Sequence, residues 1–251
     1  MFRKLASGLS GSTRLMTQDE LKRQAAETAI SLVESGMVVG LGTGSTAAFA
    51  IEGLIRRVRD EKLDIVAIPT SERSGAQARA GGIRITDFAA HRRLDLTIDG
   101  ADEICRGPLH LVKGLGGALL REKIVAAASN RLVIIADSSK LVDQLGTSAP
   151  LPVEIVPFGW ETTSDRIAGL GASPQLRHTP GGEPFRTDGG NFILDCHFGP
   201  MSDPVAVDAA LSRTIGVVET GLFLGMASVA LVAAPTGVEK WTPGGSGPSA
   251  P

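Results

Sequence analysis

The chain has 251 residues and 43% of them are hydrophobic, so it can bury one large core, or a large core and a small one. Its 25 basic and 27 acidic side chains are scattered along the sequence and give a formal net charge of -2, which argues against nucleic acid as a partner. The two cysteines, Cys105 and Cys196, lack zinc-ligand spacing and disfavour a disulfide framework, so we expect a cytoplasmic protein.

The ends of the chain are predicted to lie outside the folded part. Residues 1–15 are basic and rich in serine, which we interpret as a disordered leader before a start near Met16; a transit peptide is the alternative. Residues 242–251 contain few apolar side chains and are predicted to form a disordered tail. The longest apolar run, residues 221–234, is shorter than the roughly 20 residues of a membrane helix, so we expect buried core and no membrane contact.

Residues 16–148 alternate amphipathic helices with short apolar strands. A helix is predicted over 19–34, with Thr17 as its N-cap and Glu20 three residues on. Strands are predicted at 38–40, 65–68, 94–98, 109–112 and 132–136. This alternation is typical of a parallel sheet covered on both faces, so we expect a Rossmann-like α/β domain that residues 222–241 complete.

The order of predicted helices and strands changes in residues 149–221. Strands are predicted at 153–156, near 175, at 192–195 and at 217–222, with helices at 162–169 and 204–213. The resulting order, βαββαβ, indicates a small ferredoxin-like α+β domain inserted late in the chain.

A glycine-rich loop, GLGTGST over residues 40–46, joins the first strand to the next helix. Glycines let the backbone approach an anion closely, and the free N–H groups at a helix start favour a phosphate. The G-x-G-x-G spacing lacks the third glycine and the later acid of a dinucleotide site, and the loop lacks the Gly-Lys-Ser/Thr of a P-loop. A tight turn without a ligand remains the alternative.

An acidic segment, DGADE over residues 99–103, directly follows the strand at 94–98. Ligands of open α/β sheets bind beyond the carboxyl ends of the strands, which is where these carboxylates fall. Two alternatives remain open at this point, namely capping of a turn by Asp102 and a magnesium site.

Two further segments end at the same edge of the predicted sheet. In KGLGGALLREK, residues 113–123, the preceding strand delivers Lys113 to the edge, and Glu122 lies about one turn into a helix. Lys140 follows the strand at 132–136 in the segment DSSK. The alternatives are a solvent-exposed helical glutamate and a surface lysine.

Six segments in this order resemble the ribose-5-phosphate isomerase A family, over about residues 16–240. They are GLGTGSTAA from Gly40, TSERS from Thr70, DGADE from Asp99, KGLGGALLREKIVA from Lys113, ADSSK from Ala136 and LPVEIVPF from Leu151. The resemblance implies an aldose-ketose isomerase that interconverts ribose 5-phosphate and ribulose 5-phosphate through an enediolate. It also implies that the enzyme needs no metal or cofactor and is usually a homodimer.

The resemblance also implies roles for individual residues. Glu122 matches the proton-transferring base, and Asp99, Asp102 and Lys113 match polar groups around the sugar. The substrate-contacting positions that it implies are Thr43, Gly44, Ser45, Thr46, Asp99, Gly100, Ala101, Asp102, Lys113, Gly114, Leu115, Gly116 and Lys140, and Lys22 is a further candidate for the phosphate. Leu115 departs from the pattern, because many members carry glycine there.

Two other protein classes share a similar glycine loop. Sugar-phosphate-sensing effector domains belong to repressors with a helix-turn-helix, and only fifteen residues precede the helix-forming stretch here. Amino-sugar-phosphate deaminases lack segments like DGADE and KGLGGALLREK. Both are therefore less favoured than the isomerase.

Overall fold

Within residues 16–245, which the computed structural model describes, there are six α-helices and a short 3₁₀ helix at Ser138–Lys140. The α-helices are α1 (Gln18–Ile30), α2 (Ser45–Asp60), α3 (Glu72–Ala80), α4 (Leu119–Ala127), α5 (Trp160–Ala168) and α6 (Pro204–Ser212). The strands are β1 (Val38–Leu41), β2 (Val66–Pro69), β3 (Arg84–Ile85), β4 (Leu96–Gly100), β5 (Glu103–Cys105), β6 (Leu111–Val112), β7 (Leu132–Asp137), β8 (Leu141–Val142), β9 (Leu151–Ile155), β10 (Ser173–Leu176), β11 (Phe192–His197), β12 (Val217–Thr220), β13 (Leu222–Phe223), β14 (Val229–Ala234) and β15 (Gly237–Trp241). The predicted leader, residues 1–15, lies outside the described residues.

The main sheet has seven strands in the order β15-β14-β7-β4-β1-β2-β3. All neighbouring strands in it are parallel except β15, which pairs antiparallel with β14. The predicted α/β fold with a parallel sheet is therefore confirmed, and β14 returns the end of the chain to this sheet as expected.

Strand β7 shows why the sheet is covered on both faces. All six of its residues, LVIIAD, are buried. Val133 and Ile135 belong to the core beneath α1 and α2, whereas Leu132 and Ile134 belong to a second core on the opposite face. Because successive side chains of a strand point to opposite faces, a continuous apolar run of this kind is typical of a central strand.

The prediction that residues 109–112 form a strand of the Rossmann-like sheet was wrong. Only Leu111 and Val112 are in a strand, and that strand, β6, belongs to a separate four-stranded sheet with the order β13-β6-β5-β8. Leu111 and Phe223 of this sheet pack in the second core. A small sheet therefore lies over part of a face that was expected to carry helices.

Residues 151–220 contain the predicted βαββαβ order. Strands β9, β10, β11 and β12 form an antiparallel sheet in the order β10-β11-β9-β12, with α5 and α6 as the two crossover helices. This strand order is the one that a ferredoxin-like unit requires, because each helix carries the chain past one intervening strand.

The first helix and the apolar run near the end of the chain can also be compared with the predictions from the sequence. Thr17 caps α1 in a reciprocal capping box with Glu20, although the helix ends at Ile30 and not at the predicted residue 34. The apolar run 221–234 contains strands β13 and β14. No helix among residues 16–245 has the length and apolar character needed to cross a bilayer. In the predicted tail, Gly244 donates a hydrogen bond to the Gly107 carbonyl, and residues 246–251 lie outside the described part.

Candidate active site

A cavity of about 120 Å³ lies at the carboxyl ends of β1 and β4. It brings together segments that are far apart in the sequence. Its lining residues are Gln18, Lys22, Thr43, Gly44, Ser45, Thr46, Gly100, Ala101, Asp102, Lys113, Gly114, Gly116, Glu122 and Lys140. The glycine loop, the acidic segment and the lysine and glutamate of residues 113–123 therefore face one common space.

The glycine loop is shaped by the close approach of Asp99. A Cβ added to Gly42 would lie 2.1 Å from Oδ1 of Asp99 and 2.6 Å from its Cα, so only glycine fits there. Gly44 adopts a φ of 110° directly before α2, which begins at Ser45. This conformation favours glycine, and the helix begins at the cavity, which Ser45 and Thr46 line.

The Thr43 hydroxyl is engaged with the TSERS segment. Its Oγ1 lies 2.7 Å from Oγ1 of Thr70 and 2.8 Å from Oγ of Ser71, and Ser74 donates to the Gly42 carbonyl at 2.7 Å. The Thr43 N–H donates to Oδ1 of Asp99 at 3.0 Å. Thr43 thus lines the cavity while its hydroxyl holds the loop against the start of α3.

Lys113 lies at the centre of a buried charged cluster. Its Nζ donates to the Gly100 carbonyl at 2.6 Å and lies 3.1 Å from Oδ2 of Asp99 and 3.3 Å from Oε1 of Glu122. Each of these three side chains is at most 4% exposed. Oε2 of Glu122 has no hydrogen-bond partner among residues 16–245, although it is buried.

The charges of this cluster cannot all be compensated. Burial raises the pKa of Glu122, Asp99 and Asp102 raise it further, and Lys113 offsets only part of this, which leaves it at about 8. Burial also raises the pKa of Asp99 against the opposing effect of Lys113. For Lys113, burial opposes the charge, but the surrounding carboxylates outweigh it and raise its pKa above the ordinary value. Lys113 is therefore an ammonium, and the Glu122 carboxyl holds its proton up to a higher pH than an exposed glutamate does.

Two further lysines line the cavity. Lys22 of α1 is 13% exposed and pairs with Asp19 at 3.6 Å, and Lys140 lies on the 3₁₀ helix after β7. Gln18, one turn before Lys22, also lines the cavity and donates to Oδ2 of Asp137 at 3.3 Å. The sequence analysis did not single out Gln18, although its i, i+4 spacing from Lys22 places both on one face of α1.

Two of the predicted substrate contacts do not line the cavity. Asp99 is buried and pairs with Lys113, and its Oδ1 accepts from the N–H groups of Thr43 and Gly100. Leu115 is turned outward with 42% of its surface exposed, and its N–H donates to Oδ2 of Asp102 at 2.9 Å. The substrate contact of Leu115 stays a prediction, and in this structure the Leu115 amide is engaged with Asp102. Glu103, the last residue of the acidic segment, does not line the cavity either. It is buried and accepts from the N–H groups of residues 146, 148 and 149.

A larger groove of about 560 Å³ runs along α4 on another part of the surface. Its lining is mostly apolar, and its charged residues are Arg79, Asp87 and Arg121. Arg79, Asp87 and Arg121 do not form a buried cluster of charged side chains like the one around Lys113. The smaller cavity is therefore the better candidate for chemistry, because perturbed ionisable groups converge there.

Comparisons with known proteins identify the family that this chain resembles. The family model of ribose 5-phosphate isomerase A (phosphoriboisomerase A) matches residues 66–237. The ribose-5-phosphate isomerase A of Gloeobacter violaceus is 58% identical over 228 residues, covering 91% of this chain and 98% of that protein. That of Gluconobacter oxydans is 57% identical over 223 residues, covering 88% and 96%.

Solved structures give the same result for the fold. Ribose 5-phosphate isomerase A from Methanocaldococcus jannaschii superposes with a TM-score of 0.86 at 35% identity, covering 90% of this chain and 100% of that one. A D-ribose-5-phosphate isomerase in complex with phospho-erythronic acid superposes with a TM-score of 0.87 at 34% identity, again covering 90% and 100%.

Proposed function

The chain belongs to the ribose 5-phosphate isomerase A family, and from this premise we propose that it interconverts D-ribose 5-phosphate and D-ribulose 5-phosphate. One observation carries the proposal: the unpartnered carboxyl oxygen of Glu122 and the ammonium of Lys113 lie in the same cavity as the glycine loop. An aldose-ketose isomerase needs these groups, namely a base, a positive charge and an anion site, within reach of one five-carbon ligand.

Glu122 is proposed to move the proton. Isomerisation removes the proton on C2 of the open-chain aldose, passes through an enediolate, and returns a proton to C1. A single carboxylate over the C1–C2 edge can do both steps, and a pKa of about 8 lies close to a neutral working pH, where a general base and acid is most effective. Oε2 is the oxygen available for this transfer, since Oε1 faces Lys113.

Lys113 is proposed to stabilise the enediolate oxygen. Its ammonium is held by the Gly100 carbonyl and by Asp99, so it needs little reorganisation when negative charge develops on the substrate. Asp99 then acts on Lys113 and the glycine loop, and Asp102 is the carboxylate placed to contact a substrate hydroxyl. Because this ammonium supplies the positive charge, we propose that the reaction needs no metal and no cofactor.

The phosphate is proposed to bind at the other end of the cavity. Ser45 and Thr46 lie in the first turn of α2, where N–H groups and the helix dipole favour an anion. Lys22 and Lys140 add positive charge beside that turn. The phosphate would then fix the sugar relative to Glu122, so that binding energy far from C1 and C2 serves to orient the reaction.

We also propose a cytoplasmic homodimer. Cys105 and Cys196 are both free thiols, which fits a reducing compartment. Phe158 and Ile215 of the ferredoxin-like unit are 93% and 77% exposed, and large apolar side chains are often covered in an assembly. Light scattering on the purified protein would give its mass in solution, and a monomer would contradict the dimer.

The function is tested by a coupled assay of ribulose 5-phosphate formation, with and without EDTA. We expect turnover of ribose 5-phosphate that EDTA leaves unchanged. No turnover would contradict the isomerase and favour a sensing role, whereas loss of turnover with EDTA would contradict the metal-free mechanism alone.

A further inference from the structure

An arginine of the ferredoxin-like unit contacts the loop that carries Lys113. Arg177 follows β10, and its side chain is 13% exposed. Its Nε donates to Oδ2 of Asp195 in β11 at 2.9 Å, and its Nη2 pairs with Oδ1 of the same carboxylate. This bidentate pair fixes the plane of the guanidinium, which leaves Nη1 directed at the loop.

The contact is to two neighbouring carbonyl groups. Nη1 donates to the carbonyl oxygens of Gly114 at 2.9 Å and of Leu115 at 3.2 Å. The peptide between Gly114 and Leu115 is also held at its other end, since the Leu115 N–H donates to Oδ2 of Asp102 at 2.9 Å. A continuous chain of charge-assisted contacts thus runs from Asp195 through Arg177 and this peptide to Asp102.

The loop needs such a restraint. Gly114 and Gly117 have φ angles of 109° and 83°, and glycine adopts many other conformations at little cost. If the peptide after Gly114 turned over, its carbonyl oxygen would point towards Asp102 in place of its N–H. A partial negative charge would then face the carboxylate and the site of the developing enediolate.

We propose that Arg177 is a positioning residue for the isomerisation. It holds the Gly114–Leu115 peptide in the orientation that presents an N–H to Asp102, and thereby fixes Asp102 beside Lys113. The ferredoxin-like unit then takes part in the reaction by shaping the active site, without touching the substrate. This inference rests on the proposed function of the cavity.

Arg177→Met tests the proposal, because methionine keeps apolar bulk and removes the donors. We expect kcat to fall about 10- to 100-fold with KM within about threefold, as for a misplacement of about 1 Å in a catalytic group. Arg177→Lys should be intermediate, since an ammonium cannot match the planar fork at Asp195 and the two carbonyls together. Tm should fall, because the largely buried Asp195 carboxylate loses its partner.

Arg186→Met is a matched control. Arg186 also donates to a loop carbonyl, that of Gly190 at 3.0 Å, and stacks on a phenylalanine ring, but it contacts no residue of the cavity. We expect its kcat to be unchanged. If Arg177→Met destabilises the fold because Asp195 loses its partner, the double variant Arg177→Met/Asp195→Asn removes that charge and should show the same loss of kcat.

A double-mutant cycle with Asp102→Asn separates positioning from a purely structural role. If Arg177 acts through Asp102, then Arg177→Met should lower kcat much less in the Asp102→Asn background than in the wild type. Wild-type kcat in Arg177→Met, or equal fold losses in both backgrounds, would overturn the proposal while leaving the isomerase function intact. A wild-type protein that forms no ribulose 5-phosphate would refute the function itself, and the proposal with it.

Discussion

At the level of single residues, Lys113 can compensate only one of the two carboxyl groups nearest to it. The negative charge of Asp99 is the better stabilised of the two, since Asp99 also accepts hydrogen bonds from two backbone N–H groups and lies 3.1 Å from Nζ. Glu122 lies farther from Nζ and has one unpartnered oxygen. The shared proton therefore belongs mainly on Glu122, the group that we propose exchanges a proton with the substrate.

Replacing Glu122 with glutamine tests this assignment. The side chains are nearly equal in volume, so the fold and the phosphate end should be retained, but the amide cannot accept the C2 proton. We expect kcat to fall by a factor of about 10² to 10⁴, which is the usual contribution of a positioned acid-base group. The measurement is ribulose 5-phosphate formation under saturating substrate.

Glu52→Gln provides the control for that substitution. Glu52 lies on the surface of α2, where it pairs with Arg23 and is 55% exposed, far from the charged cluster. Its loss should leave turnover unchanged. Near-normal turnover in Glu122→Gln would show that another group transfers the proton.

Residue types at strand ends could be predicted from the sequence, but their exact contacts could not. Glu122 and Lys113 lie nine residues apart in a segment that resembles a motif of the isomerase family, and both line the cavity as expected. Arg177 contacts residues 62 and 63 positions earlier in the chain, and Gln18 contacts Asp137 across 119 positions. No local pattern reports such contacts, because they arise only when separate elements pack together.

At the level of elements, the turn between β1 and α2 is fitted to β4. Gly42→Ala should therefore displace Asp99 and, through it, Lys113. We expect a loss of about 1–3 kcal/mol in the free energy of unfolding, as for other overpacked sites, together with a large loss of turnover. Urea denaturation and the coupled assay measure the two effects.

Gly181→Ala is the matched control for the turn. An added Cβ at Gly181 would approach only Oγ1 of Thr179, at an ordinary distance of 3.7 Å. Neither stability nor turnover should change noticeably. If Gly42→Ala behaved like this control, the close approach of Asp99 to the loop would not matter for function.

The elements also show which strands the sequence predicts well. β7 is six residues long and apolar on both faces, so its place in the centre of a sheet could be recognised. β6 has only two residues, and its partners are β5 and β13, which are three and two residues long. Runs this short have no measurable period, so their apolar character was assigned to the wrong sheet.

At the level of the whole molecule, the ferredoxin-like unit contacts the parallel-sheet part at two places. Arg177 contacts the loop after β6, and Asp188 accepts from the N–H of Glu72 at the start of α3 and pairs with Arg121 of α4. The order of strands and helices predicted this unit. Its contribution to the site could not be predicted, because it depends on how the two parts pack.

The buried cluster should also make the stability of the whole molecule depend on pH. The pKa of Glu122 is raised from an ordinary value of 4.5 to about 8, so between these pH values the folded chain binds a proton that the unfolded chain has lost. The free energy of unfolding therefore contains a contribution that is complete below about pH 4.5 and is lost as pH rises through 8. Its slope is at most about 1.4 kcal/mol per pH unit.

Urea denaturation of the wild type and of Glu122→Gln at pH 5, 6.5 and 8 isolates this contribution. Glutamine stays neutral at all three pH values, so the stability of Glu122→Gln relative to the wild type should increase as the pH rises. Glu52→Gln, whose carboxylate is exposed, should differ from the wild type by a small and nearly constant amount. A difference between Glu122→Gln and the wild type that does not change with pH would mean that Glu122 is already ionised in the folded chain at pH 5, and that Lys113 compensates both carboxylates.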